Sequence, residues 1–276
     1  MSSQKMIRAT FIVIGVVLLF LAVAFMARWP WTRPLWPWTG SYSLTGLSHL
    51  FIASILAAIG APAIWLGLSG EIGPATAGAI NLGVTFLGAG LFMLQSYASR
   101  GSAPLLVGAA VCAVAVAGSV AIALVARRYP LRDSRPMPRL LRIAFVIFAV
   151  ALLLVGPLLL LKVPNVFPWP LSVEASVVYG WVFVGAAAYF IYGLLRPAWS
   201  NACGQLLGFL AYDLVLIGPF LALFGSVRPA NRPSLIVYTA VLVFSSTVAI
   251  YYLFINRATR LRRARPPQVP VGVGQT

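Results

Sequence analysis

Eight apolar runs, each about as long as a membrane-crossing helix, dominate this 276-residue sequence. A helix needs about 20 predominantly apolar residues to cross the hydrocarbon core of a bilayer. The runs cover 7–26, 47–68, 75–97, 103–125, 140–161, 172–195, 203–224 and 234–255. Because 61% of the residues are hydrophobic and only 9% are charged, a soluble core of this size could not bury the apolar surface. The sequence predicts an all-α integral membrane protein with eight transmembrane helices.

The second half of the chain repeats features of the first half. Trp38 and Trp169 match at a spacing of 131 residues, and Gly88 and Gly218 match at a spacing of 130. Each copy holds four runs, so both copies would enter the membrane in the same direction. We therefore predict two tandem parallel four-helix units. The predicted parts are a first unit at 1–126, an Arg- and Pro-rich linker at 127–139, a second unit at 140–256, and an unfolded basic, Pro-rich tail at 257–276.

The basic residues are distributed unevenly between the two sides of the predicted helices. Fourteen of the 20 Lys and Arg residues fall on the side of the N-terminus and six on the other side. The positive-inside rule then predicts a multi-pass protein of the cell (plasma or inner) membrane with both termini cytoplasmic. We expect the cytoplasmic charges to attract anionic lipid headgroups. Other membrane subunits are a second candidate class of partner, and charges spread over short loops do not favour nucleic acid.

A cleaved signal peptide is the alternative for the first run, since Lys5 and Arg8 precede it. The run at 140–161 occupies the same place in the second copy, where a signal peptide is impossible. A retained helix is therefore favoured.

Few side chains could carry chemistry. The chain has four carboxylates and one histidine, too few for bis-histidine haem, a di-metal carboxylate site or a zinc protease helix. Cys112 and Cys203 lack metal-site spacing and are interpreted as buried hydrophobic residues. We predict no metal, no cofactor and no catalytic residue, and we favour a non-enzymatic protein.

Asp213 is the exception, because it lies near the middle of the seventh run, where an ionised carboxylate is costly. Ser245, Ser246 and Thr247 reach a similar depth on the antiparallel eighth run. We predict a neutral Asp213 that is hydrogen-bonded to this segment. Two interpretations remain open: a structural link between two helices, or a site for a proton or a ligand.

His49 and Glu174 form a second candidate site. Both lie just inside the outer end of the second run of their unit. If the units pack about an axis along the membrane normal, the two side chains lie at a similar depth and can meet in an outer vestibule.

Five of the eight tryptophans fall in the loops that follow the first run of each unit: Trp29, Trp31, Trp36, Trp38 and Trp169. Tryptophan prefers the headgroup region of a membrane. We predict an aromatic belt at the outer interface that includes Trp36, Trp38 and Trp169. A lid over an outward-facing pocket is the alternative.

The fourth run carries a strip of alanines, at Ala109, Ala113, Ala117 and Ala121. Small faces let the backbones of membrane helices approach closely. We predict that the strip packs within the first unit, with an oligomer contact as the alternative.

The tryptophan loops resemble a WPWPLT-type signature that precedes the second helix of a four-helix unit in a widespread group of bacterial membrane proteins. The similarity lies in the Trp-Pro-Trp-Thr sequence at 36–39 with Ser-Leu-Thr at 43–45, and in Phe-Pro-Trp-Pro-Leu-Ser at 167–172. The first copy departs from the signature by an insertion at 39–42. The resemblance implies the fold of nearly the whole chain and no activity, because none is assigned to that group.

Two functional hypotheses follow. The first is a non-enzymatic accessory or scaffold subunit, or a binder of a lipid or other apolar ligand. The alternative is a small-solute or proton-coupled transporter that uses Asp213. Transport requires a water-accessible path past Asp213, and scaffolding does not.

Overall fold

The computed structural model describes residues 3–36 and 46–261, which are all-helical apart from their connections. Eight helices are long and apolar enough to cross a membrane, which confirms the eight predicted helical runs. They are α1 (Ser3–Met26), α2 (Leu47–Ser69), α3 (Ala75–Arg100), α4 (Ala103–Ala126), α5 (Arg139–Leu160), α6 (Val173–Leu195), α7 (Trp199–Leu223) and α8 (Arg232–Ile250). Trp38, the sequence at 43–45 and the tail from 262 onward lie outside the described residues.

Contacts between helix ends define two ends of the bundle. At the linker end, the Arg8 guanidinium near the start of α1 donates to the Gly67 carbonyl near the end of α2 at 2.8 Å. At the opposite end, which we call the tryptophan end, Arg100 is the last residue of α3 and forms an ion pair with Glu174 at the start of α6. Successive helices therefore alternate in direction.

The helices pack as four hairpins around four inner helices. Each outer helix packs along one inner helix: α1 on α2, α4 on α3, α5 on α6, and α8 on α7. The hairpins meet mainly through α2 with α7 and through α3 with α6. Helices α2 and α3 hardly touch, although they follow one another in the chain.

Glycines set the closest helix crossings. A Cβ atom on Gly15 of α1 would lie 2.7 Å from the Gly60 carbonyl oxygen of α2, and one on Gly156 of α5 would lie 3.3 Å from the Gly180 carbonyl oxygen of α6. A Cβ atom on Gly185 of α6 would lie 2.6 Å from the Asn81 carbonyl oxygen of α3. Van der Waals contact between backbones at such crossings replaces the hydrophobic driving force that helices lack in lipid.

Most of the alanine strip of α4 faces away from the protein, whereas Ala109 packs against the core. Ala113, Ala117 and Ala121 are exposed, whereas Cys112 and Ser119 are buried. The prediction that the strip packs within the first unit is therefore wrong for these three alanines. Cys112 lies beside Gly90 of α3, so the packing face is offset by one residue from the strip.

The linker lies across the turns at its end of the bundle. The Arg132 backbone N–H donates to Glu71 Oε2 at 3.1 Å, in the α2–α3 turn. Farther along, the Met137 N–H donates to the Pro197 carbonyl at 2.8 Å, and the Trp199 N–H donates to the Arg135 carbonyl at 2.7 Å. The linker is thus bonded to both the α2–α3 turn and the α6–α7 turn.

Candidate functional site

Asp213 lies in the middle of α7 and is only 1% exposed. Its Oδ2 atom lies 2.8 Å from Ser245 Oγ and 3.0 Å from Ser246 Oγ, both on α8. The expected hydrogen bond between Asp213 and this segment is present, with these two serines as its partners. The sequence could predict this contact because α7 and α8 form an antiparallel hairpin, in which residues at equal distances from the connection lie side by side.

The two serines can serve either protonation state of Asp213. Each hydroxyl has one proton and also lies close to a carbonyl oxygen one turn back: Ser245 Oγ is 2.8 Å from the Val241 oxygen, and Ser246 Oγ is 2.7 Å from the Leu242 oxygen. With Asp213 ionised, both hydroxyls can donate to Oδ2. With Asp213 protonated, the carboxyl group can donate to a serine oxygen while the serines donate to the carbonyls.

The other oxygen of Asp213 is less well satisfied. Oδ1 is buried and has no hydrogen-bond partner among the described residues. Burying a polar atom without a partner is unfavourable, and such exceptions mark places where a water, an ion or a proton can act. This atom is the one at which a proton or a ligand could be received.

Thr247 differs from its two neighbours, because its hydroxyl bonds within α8 and not to Asp213. Its hydroxyl donates to the Val243 carbonyl at 2.7 Å, and the side chain is exposed on another face of α8. That face lines an open groove of about 500 Å³. The lining residues are Phe224 at the end of α7 and Ile236, Thr239, Ala240, Val243, Phe244 and Thr247 on α8.

The groove is apolar apart from its two threonines. Thr239 is only 8% exposed, and its Oγ1 has no hydrogen-bond partner among the described residues. Ile236 and Thr247 are eleven positions apart, which is about 16 Å along a helix. The groove therefore presents a long, almost entirely hydrocarbon surface, and the buried Thr239 hydroxyl is not accessible from it.

Trp36 and Trp169 are buried, at 8% and 4% exposure, so they do not belong to an aromatic belt at the interface. Trp36 stacks on Tyr179 with ring centroids 5.5 Å apart, and the Trp169 indole N–H donates to Ser48 Oγ at 3.3 Å. Both side chains thus face inward, where other aromatic rings and a polar partner surround them. The belt prediction is wrong for these two residues.

The buried tryptophans join a larger aromatic cluster near the tryptophan end. Phe51 lies at its centre, with its ring centroid 4.4 Å from that of Tyr179 and 5.1 Å from that of Phe167. Trp29 and Trp31 remain exposed, as a belt would require. The alternative of a lid over a pocket stays a prediction.

The structure does not pair His49 with Glu174. Glu174 Oε1 accepts a hydrogen bond from Arg100 at 2.9 Å. His49 is buried against the Phe25 ring, and its Nε2 has no hydrogen-bond partner among the described residues. The expected meeting of the two residues is replaced by the Arg100–Glu174 ion pair, which only knowledge of the α3–α6 contact could have revealed.

A second polar cluster lies at the linker end, around Glu71. Burial raises the pKa of the Glu71 carboxyl group, although the backbone N–H groups of Arg132 and Asp133 oppose this effect. The neighbouring Asp133 behaves in the opposite way, because the hydrogen bonds from Arg135 lower its pKa. Sequence reasoning missed this cluster, since nothing in the pattern shows that the linker covers the α2–α3 turn.

Sequence reasoning also missed a tyrosine pair beside Asp213. The hydroxyl oxygens of Tyr212 on α7 and Tyr238 on α8 lie 2.8 Å apart. The signal was available: Tyr238 precedes Ser245 by seven residues, so the two share a helix face.

The described residues contain no cluster of His, Cys, Asp and Glu that could hold a metal ion. Comparisons with protein-family models, curated proteins and solved structures returned no match. Function therefore has to follow from the geometry of the sites themselves.

Proposed function

We propose that this protein is a non-enzymatic integral membrane protein that binds the acyl chain of a membrane lipid in the groove along α8. The groove is the single observation that carries the proposal. It is open along one side of α8 and lined almost entirely by apolar side chains, which suits contact with an acyl chain. Its length of about 16 Å matches about half of the hydrocarbon thickness of a bilayer, which is the depth of one leaflet.

The proposal includes two tandem parallel units in the cell membrane, with the linker end cytoplasmic. The pattern of helix contacts supports the tandem units. Exchanging α1–α4 with α5–α8 converts each hairpin into another hairpin and converts the α2–α7 contact into the α6–α3 contact. The excess of basic residues at the linker end supports the orientation.

Native mass spectrometry of the full-length protein released from membranes tests the lipid site. We expect lipid adducts on the wild-type protein and their loss from Ala240→Trp, because the large ring fills the groove. Ala113→Trp is the matched control, since Ala113 is exposed on the outer face of α4. Equal lipid retention by wild type and Ala240→Trp would contradict the proposal.

A second candidate function is proton-coupled transport through Asp213. The unpartnered Oδ1 atom favours it, together with serines that can serve both protonation states. Proteoliposomes loaded with a pH-sensitive dye provide the test. A proton flux that is present in the wild type and lost in folded Asp213→Asn would place transport ahead of lipid binding.

A further inference from the structure

We propose that the α2–α7 contact forms a gate at the linker end of the bundle, which the linker holds closed and which opens to admit water between the two helices. The gate consists of the end of α2 (63–69) and the start of α7 (199–207). This inference goes beyond the acyl-chain site along α8 and does not depend on it.

The two helices meet at a point where α2 can bend. Pro62 lies inside α2 and has no backbone N–H, so the Ala58 carbonyl one turn earlier lacks its usual helical partner. Gly208 of α7 lies against this point, because a Cβ atom on it would be 2.9 Å from the Ala58 carbonyl oxygen and 3.5 Å from Pro62 Cγ. Proline is a usual cause of sharp bends in helices. The end of α2 can therefore move relative to the rest of the helix.

The α7 side of the gate carries polar atoms that are not satisfied while the gate is closed. Asn201, Gln205 and Gly208 follow one another at spacings of four and three, so they share the face of α7 that meets α2. Asn201 Oδ1 and Gln205 Oε1 are buried, and neither has a hydrogen-bond partner within the described ranges. Burying such atoms is costly, and water would satisfy both in an open state. The closed gate is thus less stable than a fully satisfied contact would be.

The linker joins the two sides of the gate. On the α2 side, the Arg132 backbone N–H donates to Glu71 Oε2 at 3.1 Å, and the Arg132 guanidinium donates to the Ser69 carbonyl at 3.2 Å. On the α7 side, the Trp199 N–H donates to the Arg135 carbonyl at 2.7 Å, and the Arg135 guanidinium carbon lies 6.0 Å from the centroid of the Trp199 ring. Breaking either set of contacts frees the end of α2 from the start of α7.

The depth of the gate connects it with Asp213. An opening that reaches Gly208 ends five residues before Asp213, which is about 8 Å along a helix. The open gate supplies the linker-end part of the water-accessible path that transport through Asp213 would require.

The test measures how fast a maleimide labels Gln205→Cys in the purified full-length protein, with peptide mass spectrometry to identify each labelled cysteine. Native Cys203 is the internal control. It is only 1% exposed and lies two residues away, on the opposite side of α7, in an apolar cluster with Leu141 and Phe190. Opening of the gate exposes position 205 alone, whereas unfolding exposes both cysteines. We expect labelling at 205 to be at least about tenfold faster than at Cys203, because a local opening costs less free energy than global unfolding.

Variants of the linker contact and of the bend should change this rate in opposite directions. Glu71→Ala removes the acceptor of the Arg132 N–H and should speed labelling of Gln205→Cys about fivefold, the effect of one lost hydrogen bond. Glu71→Gln is the matched control, because its side chain keeps an acceptor oxygen. Pro62→Ala restores a backbone N–H to α2 and should slow the labelling.

Asn201→Cys lies on the same face of α7 and is a second reporter that should respond in the same way. Labelling at 201 and 205 that is as slow as at Cys203, with Glu71 present or replaced by Ala, would overturn the gate. Glu71→Ala that speeds labelling of Cys203 as much as of the reporters would also overturn it, because the linker would then stabilise the whole fold and not the α2–α7 contact.

Discussion

Ser245 Oγ lies 2.8 Å from Oδ2 of Asp213 and joins α7 to α8 in the middle of the membrane-crossing segments. Asp213→Asn keeps an oxygen acceptor and adds donors, so we expect little change in stability. Asp213→Leu leaves the hydroxyls of Ser245 and Ser246 without their interhelical partner and should cost roughly 1 to 2 kcal/mol, since hydrogen bonds between membrane helices are modest. Thermal unfolding in detergent is the measurement, and equal melting temperatures for both variants would contradict this structural role.

The α3–α6 contact depends on Gly185. A Cβ atom there would collide with the Thr85 hydroxyl and lie 2.6 Å from the Asn81 carbonyl oxygen. Gly185→Ala should therefore destabilise the protein by roughly 1 to 3 kcal/mol, the usual range for overpacking. Gly118→Ala on α4 is the control, because no atom lies within 4 Å of its added Cβ. A detergent unfolding series that ranks Gly118→Ala as the more harmful variant would rule out the close crossing.

Glu71 should make the protein less stable as the pH rises. Burial raises its pKa above the ordinary value of 4.5, so the native state holds this proton more tightly than the unfolded chain does. Its contribution is most favourable below pH 4.5 and declines as the pH rises through the raised pKa. Glu71→Gln should remove this decline from a plot of melting temperature against pH.

Asp133 should show the opposite pH dependence of stability and therefore serves as a control for Glu71. Its pKa lies below the ordinary value of 3.8 because of Arg135, so its contribution is present above that pH and is lost as the pH falls through the lowered pKa. Asp133→Asn should flatten the acidic part of the same plot. A Glu71→Gln curve that still declines as the wild-type curve does above pH 4.5 would show that the raised pKa has no effect on stability.

The orientation of the protein can be tested with single introduced cysteines. Ser134 in the linker and Ser226 after α7 are exposed at opposite ends of the bundle. The native Cys112 and Cys203 are buried and should not react. With the linker end cytoplasmic, a membrane-impermeant maleimide added to intact cells should label Ser226→Cys and not Ser134→Cys. The reverse pattern would invert the proposed topology.

The sequence predicts the helices well because length and hydropathy alone determine them. It also predicts the contact of Asp213 with α8, since residues equally far from the connection of an antiparallel helical hairpin lie at the same level. It does not predict that the side chains of Trp36 and Trp169 are buried, because a tryptophan in a loop can face either lipid or an aromatic core. Which of the two occurs depends on Tyr179 and Phe51, which lie on other helices. The partner of Glu174 depends in the same way on the α3–α6 contact, which joins residues 74 positions apart.

The linker bonds have a consequence for dividing the chain. Composition marks 127–139 as the place to cut the protein into two separately expressed halves. In the folded protein, however, the Arg132 backbone N–H donates a hydrogen bond to the Glu71 carboxylate. The backbones of Arg135 and Met137 are hydrogen-bonded to the α6–α7 turn. The Arg135 guanidinium also bonds to the Ala258 carbonyl beyond α8. A cut at this point would interrupt the segment that links Glu71 of the first half to the α6–α7 turn and to the residues after α8, so co-expressed fragments should reassemble poorly unless one of them carries the entire linker.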